Sequence, residues 1–394
     1  MNKLVCPGFM AGGIAAGIKK KNEKDLGLIY SEKPASVAGV FTRNRVQAAP
    51  VILDRERVRS GSAQAIIVNS GNANCCTGDQ GMADAIAMSK VTAATLGIPE
   101  SQVLVSSTGV IGQPMPIERV ESALPGLSRS LSPDGFPDFS SAIMTTDRVP
   151  KLVVREGSIQ GNRFTLLATA KGAGMICPDM ATMLCFVCTD IQSDPGTLGL
   201  LLSAAVDRSF NRITIDGDMS TNDTVLLLAN GMSDCVVHDG KAKAIFQEAL
   251  DEVLIELARQ LVKDGEGATK LAEIRVKGAP SNGEAQAVAD TVANSSLVKT
   301  AFFGEDANWG RILGAAGRSG VPVEPHRIDL YFDDVQMVKD GMGCGDDAEA
   351  DATEVLRKSE FVVTIDLNMG SGSASCITCD FSVEYVRINA DYRS

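Results

Sequence analysis

Histidine is nearly missing from this 394-residue chain: only His238 and His326 occur, neither with a ligand-like neighbour at helical or knuckle spacing. A histidine metal site is therefore not expected, and a Ser-His-Asp or Cys-His apparatus finds no local support. Aromatic residues make up only 5% of the chain, too few for a stacking platform. Positive charge is in deficit, with 37 Lys and Arg against 49 Asp and Glu, for a formal charge of −12. Such a surface repels polyphosphates over most of its area, and no basic stripe compensates, so nucleic-acid binding is not expected. No apolar run approaches the roughly 18–20 residues needed to cross a bilayer. No segment reads G-x-x-x-x-G-K-S/T, and Lys263-Asp264-Gly265-Glu266-Gly267 puts carboxylates where a phosphate would sit.

The N-terminal segment imitates an export signal and fails the comparison. Lys3 precedes a Gly/Ala-rich stretch, but glycines break its apolar character, and Cys6 stands too near the start for a lipoprotein site. A cytoplasmic location is expected. The ten cysteines then read as small hydrophobes in a reducing compartment. The pairs Cys185/Cys188 and Cys376/Cys379 each sit in a strand-like run, where residues three apart face opposite sides and cannot share one ion.

Apolar residues are plentiful at 44%, as are the 38 glycines. The length exceeds one ordinary core, so two or three domains are expected. Strands at 65–68, 103–106, 165–168 and 183–187 alternate with helical periodicity at 81–96. Asp194-Pro195 opens a helix that should end near Ser209, and 241–263 is the clearest helix, stopping at Asp264-Gly265. A helix over 285–300 and strands over 327–332, 361–366 and 374–383 follow. The alternation points to a layered α/β or α+β protein, with a boundary near Gly278-Ala279-Pro280.

What elimination leaves is a hydroxyl nucleophile served by an amine. In Lys171-Gly172-Ala173-Gly174-Met175-Ile176-Cys177-Pro178-Asp179-Met180-Ala181-Thr182, glycines and a proline make a tight loop, and Thr182 opens an apolar strand. Such a loop can hold a peptide carbonyl against the next hydroxyl. On residue pattern alone the signal is weak, and an ordinary threonine at the start of a strand is the favoured explanation.

KGAGMICPDMATML at 171–184 resembles the processing motif of the bifunctional ornithine acetyltransferase (glutamate N-acetyltransferase) family of arginine biosynthesis. The resemblance extends through PGFMAGGIAAGIK at 7–19, VAGVFTRNRVQAAPV at 37–51, IVNSGNANCCTG at 67–78, SSTGVIGQPM at 106–115 and IMTTDRVPK at 143–151. It continues through DGDMSTNDT at 216–224, DGEGATK at 264–270, GEDANWGRI at 304–312 and DFSVEYVRINADYRS at 380–394. It implies a layered α/β/β/α sandwich of the self-processing type with a smaller C-terminal α/β domain. The parts would be an α chain over 1–181, a β-chain segment over 182–278 completing the catalytic domain, and a C-terminal domain over 279–394 that brings its tail to the site.

The resemblance implies cleavage between Ala181 and Thr182, followed by acetyl transfer from N2-acetylornithine to glutamate through an acetyl-Thr182 ester. A free α-amine has a pKa near 8 and a lysine about 10.4, so cleavage installs a base a few hundred-fold more available near neutrality. Thr108 and Gly109 match the oxyanion stabilisers. Thr145, Lys171, Thr182, Glu266, Asn389 and Ser394 match the substrate contacts. Thr145 rather than Thr146 is chosen on spacing; Lys171 is assigned the α-carboxylate and Glu266 the δ-ammonium of ornithine. No metal or bound cofactor is implied; acetyl-coenzyme A is a co-substrate of bifunctional members, and the two chains are expected to assemble as α2β2. Asp179 departs from the usual Asn, which bears on processing rate, and Ser394 replaces a common terminal Thr. A related self-processing aminopeptidase or amidase, with water as acceptor, is the alternative; a non-enzymatic binding protein that keeps the fold is a further one.

Overall fold

The structure, a computed structural model, describes residues 4–20, 23–177 and 183–391. Eight strands form the first sheet: β1 (Phe9–Ile14), β2 (Leu26–Phe41), β3 (Ser62–Asn72), β4 (Val103–Val110), β5 (Lys151–Ile159), β6 (Asn162–Lys171), β7 (Leu184–Thr189) and β8 (Thr224–Ala229). Their order is β4-β3-β2-β8-β7-β6-β5, with β1 paired to β2. Helices α1 (Ala49–Arg57), α2 (Gly78–Leu96), α3 (Ile117–Arg129), α4 (Phe136–Ile143), α5 (Pro195–Arg208) and α6 (Gly240–Lys263) connect them.

The long strand β2 belongs to two half-sheets. Its first part pairs with β1 and β3, its second with β8, and the register shifts between Tyr30 and Ala35. Side chains alternate strictly across the sheet. Leu167, Phe186 and Leu226 share one apolar cluster with Ile29, Ile66 and Leu104 of the other half, and with Phe136 and Phe139 of α4. Phe139 meets Phe186 edge-on at 5.5 Å between ring centroids, a contact worth about 0.5–1.5 kcal/mol beyond area burial. On the outer faces, α5 and α6 cover Leu166, Cys185 and Val225, while α2 and α3 cover Leu28, Ile67 and Val105. The layers therefore run helix, sheet, sheet, helix, as expected from the resemblance. Cys185 and Cys188 fall in clusters on opposite faces, and so do Cys376 and Cys379.

The second sheet has the order β12-β11-β10-β13-β9-β14, built from β9 (Leu271–Ala279), β10 (Asp329–Phe332), β11 (Val335–Lys339), β12 (Met342–Gly343), β13 (Glu360–Asp366) and β14 (Gly372–Cys379). Helices α7 (Asn282–Ala293), α8 (Ser296–Phe303), α9 (Trp309–Gly317) and α10 (Asp346–Leu356) accompany it, and α11 (Val383–Asp391) follows. Sheet and helices share a separate core.

Three sequence expectations shift. The boundary near Gly278 falls inside the C-terminal unit, because β9 pairs in parallel with β13 from Leu271 onward. The helix expected over 285–300 breaks at Asn294-Ser295, where the Asn294 side chain leaves the helical path to accept a hydrogen bond from Thr214 at 2.6 Å. The last strand stops at Cys379, since Asp380 accepts backbone hydrogen bonds from Thr269 and Lys270, both at 2.8 Å, and Val383 starts a helix.

Two helix boundaries match the sequence reading closely. Asp194 caps α5 by accepting from the Thr197 amide at 2.9 Å, and α6 ends at Asp264. His238 and His326 are exposed. Among the described residues no helix is long and apolar enough to cross a membrane, and no group of three or more His, Cys, Asp or Glu could hold a metal ion.

Candidate active site

The parallel pair β3–β4 builds one wall. Ser70 lies opposite Thr108 and Gly71 opposite Gly109, and the register slips at Gly71/Asn72. Gly109 holds φ at +130°, and a Cβ there would stand 2.4 Å from the Gly71 carbonyl carbon. Only glycine lets the two backbones approach this closely.

Lys171, the last residue of β6, enters from the opposite side. Its ammonium is buried and donates to Thr108 Oγ1 at 2.9 Å and to Thr145 Oγ1 at 3.2 Å. Burial pulls the Lys171 pKa below its ordinary value; the Asp147 carboxylate opposes this, Lys151 reinforces it, and Asp223 and Glu266 oppose it further. Because Thr108 accepts from a cation, its own hydroxyl proton is directed elsewhere, free to donate.

Glu266 follows the end of α6. Its amide donates to the Ala173 carbonyl at 2.7 Å, and its Oε2 accepts from Asn389 Nδ2 of α11 at 2.8 Å. Its carboxylate lies against Gly174, where a Cβ would come within 2.6 Å of Oε2. Thr108, Gly109, Thr145, Lys171, Glu266 and Asn389 thus line one recess of about 70 Å³, together with Thr146 and Thr221. Between the two threonines, Thr145 is the one whose hydroxyl meets Lys171. The expected Ala181, Thr182 and Ser394, and also Asp179, lie outside the described residues.

The sequence reading missed two carboxylates that hold the chain before residue 178 and after residue 182. Asp216 accepts from the amides of Met175 at 2.5 Å and Ile176 at 2.9 Å, and from the Tyr385 hydroxyl at 3.3 Å. Met175 holds φ at +58°, so Asp216 fixes an unfavourable turn just before residue 178. Asp223 accepts from the Met183 amide at 3.1 Å, just after residue 182. Burial raises the carboxyl pKa of both Asp216 and Asp223, in Asp223 well above the ordinary value, and backbone hydrogen bonds oppose the rise. A signal for Asp223 was present: an aspartate directly ahead of the apolar run TVLLLA is bound to be buried, and a buried carboxylate demands donors.

A buried ion triad braces the same site. Lys151 donates to Asp147 and to Asp264, both at 2.7 Å. Asp147 in turn accepts from the Gly172 amide at 2.7 Å and the Thr145 amide at 3.1 Å. The stretch before β5, the end of β6 and the end of α6 are thereby joined, and at these lie Thr145, Lys171 and Glu266 respectively.

Fold and site define a four-layered α/β enzyme whose recess gathers hydroxyls, one buried amine and a carboxylate beside a clamped loop. The chain belongs to the ArgJ family, whose model matches residues 10–394. It is 54% identical over 389 residues to the arginine biosynthesis bifunctional protein ArgJ of Geobacter sulfurreducens, covering 98% of this chain and 99% of the relative. It is 51% identical, with the same coverage, to the protein of that name from Syntrophotalea carbinolica. Among solved structures it is similar to ArgJ of Bacillus halodurans, at 41% identity and a TM-score of 0.50, covering 52% of this chain and 98% of that one.

Proposed function

We propose that this chain transfers the acetyl group of N2-acetyl-L-ornithine to L-glutamate through an acetyl ester on Thr182, after cutting itself between Ala181 and Thr182. The observation that carries the proposal is the Lys171 ammonium held between the Thr108 and Thr145 hydroxyls, within a recess that also holds Glu266. A buried cation fits an α-carboxylate, and the carboxylate fits ornithine's δ-ammonium. Membership of the ArgJ family and relatives named as bifunctional arginine-biosynthesis proteins support the same reaction. The matching Bacillus halodurans chain is about half the length of this one, as a precursor cut near its middle would give.

In the proposed sequence the Thr182 α-amine takes the proton of its own hydroxyl, and Oγ attacks the acetyl carbonyl. The oxyanion accepts hydrogen bonds from the Thr108 hydroxyl and the Gly109 N–H, and as it collapses to the ester the Thr182 ammonium passes its proton to the departing ornithine amine. Glutamate's amine then attacks the ester, N-acetylglutamate departs, and Thr182 recovers its hydroxyl. Acetyl-coenzyme A serves as a second acetyl donor, with no resident cofactor. Assembly as α2β2 and a cytoplasmic location complete the reading, with Ser394 and Asn389 bringing the C-terminal tail to the substrate.

The test is direct. Wild-type protein should show two bands on a denaturing gel, with a second N-terminus at Thr182 and glutamate-dependent consumption of acetylornithine. The Thr182→Ala chain should run as one band near 41.4 kDa and be inactive. An active, uncut wild-type chain would overturn the proposal.

A further inference from the structure

Helix α11 is held on the molecule without an apolar face. None of its side chains is buried, and Val383 and Val386 are exposed. Polar and aromatic contacts hold it instead. Ser382 Oγ accepts from the Tyr385 amide at 3.3 Å and donates to the Gly267 carbonyl at 2.6 Å, which fixes the first turn. Gly267 holds φ at +68°, and a Cβ there would stand 2.4 Å from the Tyr385 nitrogen, so backbone meets backbone. The buried Lys299 ammonium lies 4.6 Å from the centre of the Phe381 ring, and Phe381 stacks on Tyr385 at 4.8 Å between centroids. Farther along, Asn389 reaches Glu266.

In the acetyl-transfer reading, substrate binding accounts for Asn389 and leaves Tyr385 unexplained. The two lie one turn apart on the same helix face, yet their partners differ. The Tyr385 hydroxyl donates to Asp216 Oδ2 at 3.3 Å. The same oxygen accepts from the Met175 amide at 2.5 Å, while Oδ1 accepts from the Ile176 amide at 2.9 Å. Asp216 is therefore a bridge between the C-terminal helix and the chain that runs on from β6 toward the proposed cut. Met175 keeps φ at +58°, a conformation that a methionine adopts only under constraint. The Ile176 carbonyl is pinned at the same point by the Ile215 amide at 2.8 Å. The phenol stays a donor near neutrality, because burial, then the charges of Asp216 and Glu266, push its pKa above the ordinary value.

We propose that Tyr385 is a positioning residue for self-cleavage: through Asp216 it holds Met175 and Ile176 in the turn that leads to the cut. The precursor then cuts itself only after the C-terminal helix has docked. The inference rests on the self-cleavage reading and adds the order of events. In the step itself, Thr182 Oγ bonds to the Ala181 carbonyl carbon as its proton passes to the departing Thr182 nitrogen. Water then splits the ester, leaving the Ala181 carboxylate and the Thr182 hydroxyl. Tyr385 exchanges no proton in it; it narrows the conformations of the chain entering the cut, and reaction needs the carbonyl held against the hydroxyl. A chain whose C-terminal unit has not folded keeps the Thr182 nitrogen in a peptide bond, and so lacks its base.

Cleavage can be timed in a cell-free translation chase, as conversion of the 41.4 kDa chain into two shorter ones on a denaturing gel. Y385F removes the hydroxyl and keeps the ring stack. It should slow the first-order conversion roughly tenfold, as expected for losing one hydrogen bond to a charged acceptor, with an unchanged circular dichroism spectrum. R387Q, on the same helix but turned to solvent, should cut at the wild-type rate. D216N should also slow cleavage, and Y385F/D216N should be no slower than D216N alone, because Tyr385 acts only through that carboxylate. F381L keeps the hydroxyl and removes the ring that braces it; it should slow cleavage in the same non-additive way, which serves the test if Y385F does not fold. A folded Y385F chain that cuts at the wild-type rate, or losses that add in full to that of D216N, would overturn the proposal. A wild-type chain that is active yet never cut would instead defeat the self-cleavage reading, whatever the variants do.

Discussion

Lys171 spends two donors on the hydroxyls of Thr108 and Thr145, and this contact decides how both threonines can act. A lysine donor fixes the Thr108 oxygen as acceptor, so the hydroxyl proton points to where an oxyanion would form. Thr108→Val keeps shape and removes that proton. Loss of one oxyanion donor costs about 3 kcal/mol, so kcat should fall about a hundredfold with little change in KM. A large rise in KM at unchanged kcat would place Thr108 in ground-state binding instead.

Lys171 must be cationic to hold a carboxylate, yet burial lowers its pKa. As pH rises the cation is therefore lost earlier than from a free lysine at about 10.4. The KM for acetylornithine should climb on an alkaline limb below that value. Asp147→Asn removes the carboxylate that most favours the charged form, so the limb should move to still lower pH. A profile unchanged by the substitution would remove Asp147 from this role.

At the scale of elements, the Asp147–Lys151–Asp264 triad holds together three segment ends that are far apart in sequence. Lys151→Met would leave two buried carboxylates facing each other, a loss of about 3–5 kcal/mol. Tm should fall, and the KM for acetylornithine should rise as Thr145 and Glu266 lose their brace. Adding Asp264→Asn should recover part of the Tm loss, whereas a fully additive double variant would show that the charges are not coupled. The triad was not legible in the sequence, because each member reads alone as an ordinary charged residue: Asp264 passes for a helix stop, Lys151 for the edge of a strand. By contrast, the Asp194 cap, the long amphipathic α6 and the opposite-facing cysteine pairs were legible, since each follows from local spacing. Thr108, Lys171 and Glu266 were identified only through motif resemblance, as their convergence on one recess depends on strand order.

The whole molecule places the processing loop between two strands that are already paired. β6 hydrogen-bonds to β7 from Leu166↔Thr189 to Lys171↔Leu184, on either side of the proposed cut. Farther along, β2 pairs with β8 from Ser36↔Ala229 to Phe41↔Thr224. Cleavage at Ala181–Thr182 would thus sever the covalent link while two seams of one sheet still join the α and β chains. Between the half-sheets, Phe139 and Leu167 from the first chain pack in the same cluster as Phe186 and Leu226 from the second. Separating the chains would expose that cluster and free both strand seams, a cost on the order of unfolding the domain itself. Processed protein should therefore elute in native gel filtration with both chains in one peak, although a denaturing gel resolves them. In a urea titration, chain separation should coincide with loss of the far-ultraviolet circular dichroism signal. If the two chains part in native buffer while each keeps its secondary structure, the shared sheet is not what holds the processed molecule together.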